Sequence, residues 1–156
     1  MVIRPAKPSD MQYVLQLIQE LATFEKEPEA VEVTVDDLIR DGFGSNPLFD
    51  VIVAELDNQI IGMALYYNRF STWKGKTIHL EDLIVTEKMR GTGAGYALYK
   101  EVLAIAHREG VKRVEWVVLD WNQSAIDFYK KSGANVLTDW YTVQMDEQGI
   151  NNFNLK

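Results

Sequence analysis

Six consecutive residues, Arg90-Gly91-Thr92-Gly93-Ala94-Gly95, have the types and spacing to hold an anion on backbone N–H groups. They follow an apolar strand pattern, Ile78 to Val85, and a short polar link, Thr86 to Met89, and they open an amphipathic helix. The first turn of a helix carries unpaired donors and a partial positive charge, so a phosphate placed there gains hydrogen bonds and a favourable dipole interaction. Glycines let a pyrophosphate approach the backbone closely, and Arg90 adds a permanent charge with a planar donor fork. The same spacing without context also suits a plain loop or a weak helix start; the strand before it and the helix after it favour the anion site. No Lys-Ser or Lys-Thr follows the glycines as in a Walker A loop. A Rossmann fingerprint expects an acidic residue about 20 positions on that closes the next strand; Glu109 and Glu115 fall near there without ending a strand pattern.

Other chemistries are excluded by residue type. With no cysteine there is neither a thiolate metal site nor a cysteine nucleophile nor a disulfide framework. His79, in a strand pattern, and His107, in a helix, are too scattered to suggest a metal site, so no metal is expected. A formal net charge of −7 disfavours nucleic acid and anionic membranes as partners and tolerates a cationic substrate. The apolar runs are too short to span a bilayer, and Met-Val-Ile-Arg-Pro is no signal peptide, so a cytoplasmic protein is expected.

The elements that must position these residues alternate along one domain spanning residues 1–156. Short strands are expected at Val2–Arg4, Phe49–Leu56 and Gln59–Tyr67, the last two joined by the hairpin signal Asp57-Asn58. Ser9 with Gln12 resembles a capping box, and Met11, Val14, Leu15, Ile18 and Ala22 recur at helical spacing as far as Phe24. A polar loop with Pro28 follows, after which Thr34 can cap a short helix through Arg40. A strand over Thr77–Thr86 feeds the glycine loop, and the helix beyond it, with Leu98, Val102, Ile105 and Ala106 on one face, stops at Gly110. A long strand over Arg113–Leu119, a helix over Gln123–Lys131 capped by Asn122 and ended by Gly133, and strands over Ala134–Leu137 and Trp140–Met145 complete the pattern. An early antiparallel meander followed by a strand, helix, strand crossover suggests an α/β (α+β) fold: a mixed sheet with helices on both faces.

These residues and this order of elements resemble the GCN5-related N-acetyltransferase (GNAT) superfamily, whose signature of Gln or Arg, two residues, Gly, one residue, then Gly or Ala fits Arg90 to Gly95. Leu80-Glu81-Asp82-Leu83-Ile84-Val85, Asp41-Gly42-Phe43-Gly44, Trp121-Asn122 and Asp127-Phe128-Tyr129-Lys130 further resemble the diamine (spermidine/spermine) acetyltransferase branch and its thialysine-acetylating relatives. The resemblance implies a mostly antiparallel sheet of six to seven strands and acetyl-CoA as cosubstrate. Backbone groups of Leu83, Ile84 and Val85 would pair with the pantetheine arm like an added strand. Arg90, Gly91, Thr92, Gly93, Ala94, Gly95 and Tyr96 would hold the pyrophosphate, and Asn122, Gln123, Ser124 and Ala125 would line the distal side. Leu83 to Val85 are also a plain core strand by pattern, and Asn122 is also a simple helix cap.

The implied reaction is attack of a free amine on the thioester, which needs a proton removed from the substrate ammonium and one supplied to the departing thiolate. By pattern alone Tyr129 reads first as a core aromatic beside Ile126 and Phe128; with the resemblance it matches the family's acid, and a phenol with pKa about 10 suits that thiolate. Glu81 is the candidate base, through water, and Asp82 falls on the other face of the strand if alternation holds. Phe24, Glu25, Trp73 and Trp140 match substrate-contacting positions, with Glu81, Asp82, Glu115, Trp116 and Val117 beside them, an aromatic and acidic setting for an alkyl ammonium. Ser71-Thr72 stands where the polyamine enzymes carry an acidic residue, which ranks thialysine or a lysine-like amino acid ahead of polyamines. A homodimer is expected, with Ile150 to Leu155 as a contributor. The alternatives are acetylation of a protein N-terminus or lysine, and binding of acetyl-CoA without turnover.

Overall fold

Alternating apolar residues in four successive strands build one sheet whose two faces are both covered by helices. The computed structural model describes residues 1–153, which form two compact units, Met1–Val117 and the segment from Val118 onward. In the first unit β1 (Val2–Pro5), β2 (Asp50–Leu56), β3 (Gln59–Ser71), β4 (Gly75–Val85) and β5 (Val114–Glu115) lie side by side in chain order. The first four are antiparallel neighbours, and β5 runs parallel to β4 through the pairs Ile78 with Val114 and His79 with Glu115. Asp57 and Asn58 both take positive φ, 51° and 62°, as the tight hairpin between β2 and β3 requires.

One face of the sheet, with Val51, Val53, Met63, Leu65 and Ile84, packs against α1 (Met11–Phe24) through Met11, Val14 and Leu17, and against α2 (Val35–Phe43) through Leu38. The other face, with Ile52, Ala54, Ala64, Tyr66, Ile78 and Leu80, packs against α3 (Ala94–Arg108) through Ala94, Leu98, Val102 and Ala106. Close approach of the β4 backbone, with α3 behind it, explains a glycine in mid-strand: a Cβ on Gly62 would lie 2.7 Å from the Ile84 carbonyl oxygen and 3.3 Å from Leu98 Cδ1.

Thr34 caps α2 as expected, accepting from Asp37 N while the Asp37 carboxylate accepts from Thr34 N, and the helix continues past Arg40 to Phe43. The start of α1 differs from the expected Ser9 to Gln12 box. A 3-10 turn over Pro8–Asp10 precedes the helix, and the Asp10 carboxylate accepts from Lys7 N at 2.7 Å and pairs with Arg4 at 2.7 Å. Arg4 also reaches Glu55 at 2.6 Å. Burial pushes the Asp10 carboxyl up, yet its hydrogen bonds from Arg4 and Lys7 outweigh this and hold it below its ordinary value. An ion pair with a neighbouring strand, absent from any local pattern, fixes this helix entry.

Among the described residues the sheet has five strands, against the six to seven expected. The expected long strand over Arg113–Leu119 is reduced to Val114–Glu115, because the β4 ladder toward β5 ends at His79, just before an irregularity at Glu81. Neither Ala134–Leu137 nor Trp140–Met145 is a strand: no neighbour among the described residues supplies a ladder, and Tyr141 and Val143 stand about nine-tenths exposed, at 93% and 91%. The second unit instead contains α4 (Gln123–Lys131), closed by Gly133 at φ 95°, and a short α5 (Glu147–Asn152) that the sequence reading did not foresee. Asp146 caps α5 by accepting from Gly149 N. In the segment expected to join a dimer contact, Ile150 lies on α5 and Leu155 lies outside the described residues.

Candidate functional site

The glycine loop leaves β4 and enters α3. Gly91 and Gly93 take φ of 82° and 85°, a left-handed backbone that side chains resist, and open space surrounds both. Gly93 is the N-cap of α3, so the N–H groups of Ala94, Gly95 and Tyr96 precede any intrahelical acceptor. Thr92 Oγ1 donates to the Met89 carbonyl at 2.8 Å and folds the loop back on the 3-10 turn over Glu87–Met89. An open left-handed loop, a 15-residue helix behind it and Arg90 three residues before the N-cap suit a pyrophosphate.

The Arg90 guanidinium stacks over the Phe24 ring, 5.2 Å from its centroid. With Gln19, Glu20, Thr23 and Glu87 these two residues line a cleft of about 300 Å³, whose wall is tied together by Glu87 N donating to the Glu20 carboxylate at 2.7 Å. Phe24, expected on the amine, and Arg90, expected on the cofactor, are therefore neighbours.

The two strand carboxylates are placed by a β-bulge. Leu65 pairs with Asp82 and Tyr66 with Leu80, so Glu81 has no partner on β3 and is the extra residue. Before the bulge Ile78 and Leu80 face α3, whereas after it Leu83 and Val85 do, with Ile84 facing α1. The expectation that Glu81 and Asp82 occupy opposite faces is thus corrected: the parity switch leaves both on the α1 side. The Tyr67 hydroxyl, from that side, donates to Glu81 Oε2 at 3.0 Å, and His79 Nε2 lies 3.5 Å from the same oxygen. The rings of Tyr67 and His79 meet at a tilt of 36°, their centroids 5.2 Å apart. Burial, with the Glu81 carboxylate alongside, raises the Tyr67 phenol above its ordinary value. Asp82 is pushed up to about 6, chiefly by burial and then by the negative charges of Glu81 and Glu25. Burial also raises Glu25, one residue past the end of α1. Glu81 and Asp82 on one sheet face, with Glu25 within electrostatic range of Asp82, have the chemistry to hold a cation and to pass a proton.

Leu83, Ile84 and Val85 follow the bulge. Beyond His79 no pairing of β4 with β5 remains among the described residues, so this stretch of β4 presents backbone groups along an open edge. An extended amide-bearing arm can add to such an edge as a strand does.

The remaining residues separate. Glu115 shares the Glu81 face through its register with His79, but its carboxylate is engaged by Arg69 and by Arg113, the latter at 2.8 Å. Trp116 packs on the opposite face, edge to face with Tyr99 of α3 at 5.7 Å, and Val117 is exposed. Trp73 sits in the turn between β3 and β4, largely exposed. From Gly75 to Glu81 the strand rises roughly 20 Å, so this indole does not line the carboxylate cluster of its own chain. In the second unit Asn122 does cap α4, its Oδ1 accepting from Ala125 N at 3.3 Å, while Gln123 donates to Asp127 at 2.6 Å. Ser124 is exposed on the first turn, Tyr129 is half-buried with its ring 5.3 Å from that of Phe128, and Trp140 is exposed. Among functional candidates the sequence reading missed Tyr67 and His79; the register that pairs Tyr67 with His79, two residues before Glu81, leaves no local signal in an apolar strand.

Comparison with known proteins identifies the family and the fold. The family model described as "Acetyltransferase (GNAT) family" matches residues 11–134. A thialysine N-epsilon-acetyltransferase from Sus scrofa is 37% identical over 160 residues, covering 96% of this chain and 94% of that protein. The spermidine/spermine N(1)-acetyltransferase-like protein 1 of Homo sapiens is 39% identical across 95% of this chain, which spans 23% of that longer protein. Among solved structures, an integron cassette protein from the mobile metagenome of V. cholerae superposes with a TM-score of 0.79 at 24% identity, covering 96% of this chain and 94% of that one.

Proposed function

The chain belongs to the acetyltransferase (GNAT) family, and from that premise we propose that it transfers an acetyl group from acetyl-CoA to the primary amine of a small cationic substrate by direct attack. Thialysine or a lysine-like amino acid ranks ahead of polyamines and diamines. The observation that carries this reading is the bulge at Glu81, which gathers Glu81 and Asp82 near Glu25 one strand-length before the glycine loop. An amine-binding end and a phosphate-binding end then lie on one continuous segment, residues 81–96.

Arg90 to Tyr96 would hold the pyrophosphate, the open edge at Leu83 to Val85 the pantetheine arm, and Asn122 to Ala125 the distal side. The bound cosubstrate supplies the activated acetyl thioester. Glu81, through water, takes the proton of the substrate ammonium; the free amine forms the C–N bond as the C–S bond breaks, Tyr129 gives its proton to the leaving thiolate, and the second proton lost by the acylated nitrogen restores the Tyr129 phenol through solvent. Phe24, Glu25, Trp73, Asp82, Glu115, Trp116, Val117 and Trp140 are proposed around the amine, with Trp73 able to serve only a site other than its own chain's carboxylate cluster. The family match runs across both units, which favours a single catalytic domain over residues 1–156. A homodimer in the cytoplasm is part of the same proposal; no helix among the described residues is long and apolar enough to cross a membrane.

Release of free CoA from acetyl-CoA with thialysine, lysine, ornithine, putrescine, spermidine, spermine and a lysine-bearing peptide tests the reading. Turnover with a small amine, lowered by Tyr129→Phe by about 10²-fold or more with acetyl-CoA affinity retained, is the expected result. Better turnover of spermidine than of thialysine would reverse the substrate ranking, and turnover of the peptide alone would move the function to protein acetylation. Binding without turnover of any amine would leave an acetyl-CoA sensor.

A further inference from the structure

The sheet face that carries Glu81 has an opposite electrostatic end. Along β3, Tyr67 and Arg69 point the same way, and Tyr67 is within electrostatic range of Glu81, Arg69 and Glu115 together. Arg69 pairs with Glu115 from across the sheet, and Arg113 pairs with the same carboxylate at 2.8 Å, its Nε–H out of line for a hydrogen bond. Two guanidinium groups thus share one carboxylate, leaving a local surplus positive charge on a chain of net charge −7. Arg69 is 55% exposed, so its donors are accessible from the same side as the acidic cluster.

We propose that Arg69 and Arg113 form a carboxylate-binding subsite on the face shared with Glu81 and Asp82, so that the chain selects amines bearing a carboxylate at the far end over amines lacking one. The inference rests on the amine acetyltransferase reading above and names the feature of the amine that is recognised. Glu115, which holds both guanidinium groups, is in register with His79, and Glu81 lies two residues beyond His79 on the same strand face, roughly 7 Å along it. A lysine-like side chain places its terminal nitrogen six bonds from its carboxyl carbon, about 7 Å when extended with bonds of about 1.5 Å. With the ammonium at Glu81 and Asp82, such a chain crosses the tilted rings of Tyr67 and His79 and brings its carboxylate to the arginines. Binding there neutralises the surplus charge, and a guanidinium fork matches a carboxylate in shape as well as sign. A diamine of the same length presents a second ammonium to that fork instead and is repelled.

Matched pairs isolate the carboxylate: thialysine, lysine and ornithine, each against its decarboxylated diamine, with kcat/KM measured for the unaltered chain, Arg69→Gln and Arg113→Gln. The expected result is a preference for the amino acid in the unaltered chain that falls about tenfold or more in each variant, carried by KM for the amino acid. Because each ratio is taken on one enzyme sample, partial unfolding of a variant cancels from it. Arg69→Glu should move the preference further, toward the diamine. Diamines and amino acids turned over equally by the unaltered chain, or a preference that survives both substitutions, would overturn the subsite while leaving the acetyltransferase reading intact. Absence of turnover with every amine would overturn both.

Discussion

At Asp82 a single carboxyl group carries a stability cost that its neighbours explain. Its pKa of about 6 in the fold, against an ordinary carboxylate value of 3.8, arises from burial and from the charges of Glu81 and Glu25. The folded state therefore holds this proton more tightly than the unfolded chain does. Stability from this group is complete below about pH 4 and is lost as pH rises through about 6, a difference of about 3 kcal/mol at neutral pH. Asp82→Asn should raise the thermal midpoint at pH 7.5 and flatten its dependence between pH 4 and 6, as followed by calorimetry across that range. A variant no more stable than the parent at pH 7.5 would mean that burial and the neighbouring carboxylates do not penalise the Asp82 charge in the folded chain. The same substitution should weaken amine turnover, since the cost is retained where a cation would be held. Residue identities here were legible in the sequence: Glu81 and Asp82 precede the glycine loop, and Glu25 follows an amphipathic helix. Their arrangement on one face was not, because strict alternation assigns neighbours to opposite sides, and one extra residue without a β3 partner reverses that assignment.

Elements show the same division between local and non-local causes. Helices α1 to α4 fall close to where periodicity, Thr34, Asn122, Gly110 and Gly133 place them, since caps and stripes are written within a few residues of each other. The entry to α1 departs because Asp10 answers to Arg4 and, through it, to Glu55, 45 residues beyond it in the chain. The extent of β5 and the irregular course of 134–137 and 140–145 depend on whether a neighbouring strand is there to pair, which no alternation of Val, Tyr and Trp can state. Gly62 gives this scale a test. Gly62→Ala would bring a methyl group within 2.7 Å of the Ile84 carbonyl, next to the residue paired with position 62, Val85. Backbone cannot rotate away as a side chain can, so β4 must shift or α3 lift, at about 1–3 kcal/mol. Urea unfolding should show that loss, and affinity for acetyl-CoA should fall with it because Leu83 to Val85 form the displaced edge. A variant that loses stability while keeping full affinity would place the pantetheine arm elsewhere.

Across the whole molecule, anion-binding features accumulate at one point in the first unit. β4 ends there, α3 begins there, Gly91 and Gly93 hold the turn open, and Arg90 is braced on Phe24. The chain has a formal net charge of −7, so its affinity for a polyanion must come from this local array rather than from the overall field. A ligand that binds the folded chain alone raises its stability by RT ln(1 + [L]/Kd), about 2.7 kcal/mol at a hundredfold excess over Kd. For a chain of this size that is a rise of roughly 5–10 °C in the thermal midpoint. Acetyl-CoA should produce such a rise, increasing with its concentration, whereas acetate and free pantetheine at equal concentration should produce little, because neither carries the pyrophosphate. Gly93→Val, forced into a left-handed conformation that valine resists, should abolish the rise while the unliganded midpoint falls only modestly, the loop being exposed. A midpoint indifferent to acetyl-CoA in the unaltered chain would remove the cosubstrate from this loop. Equal rises in the parent and Gly93→Val would instead show that the donors of the first turn of α3 are not what holds the phosphate.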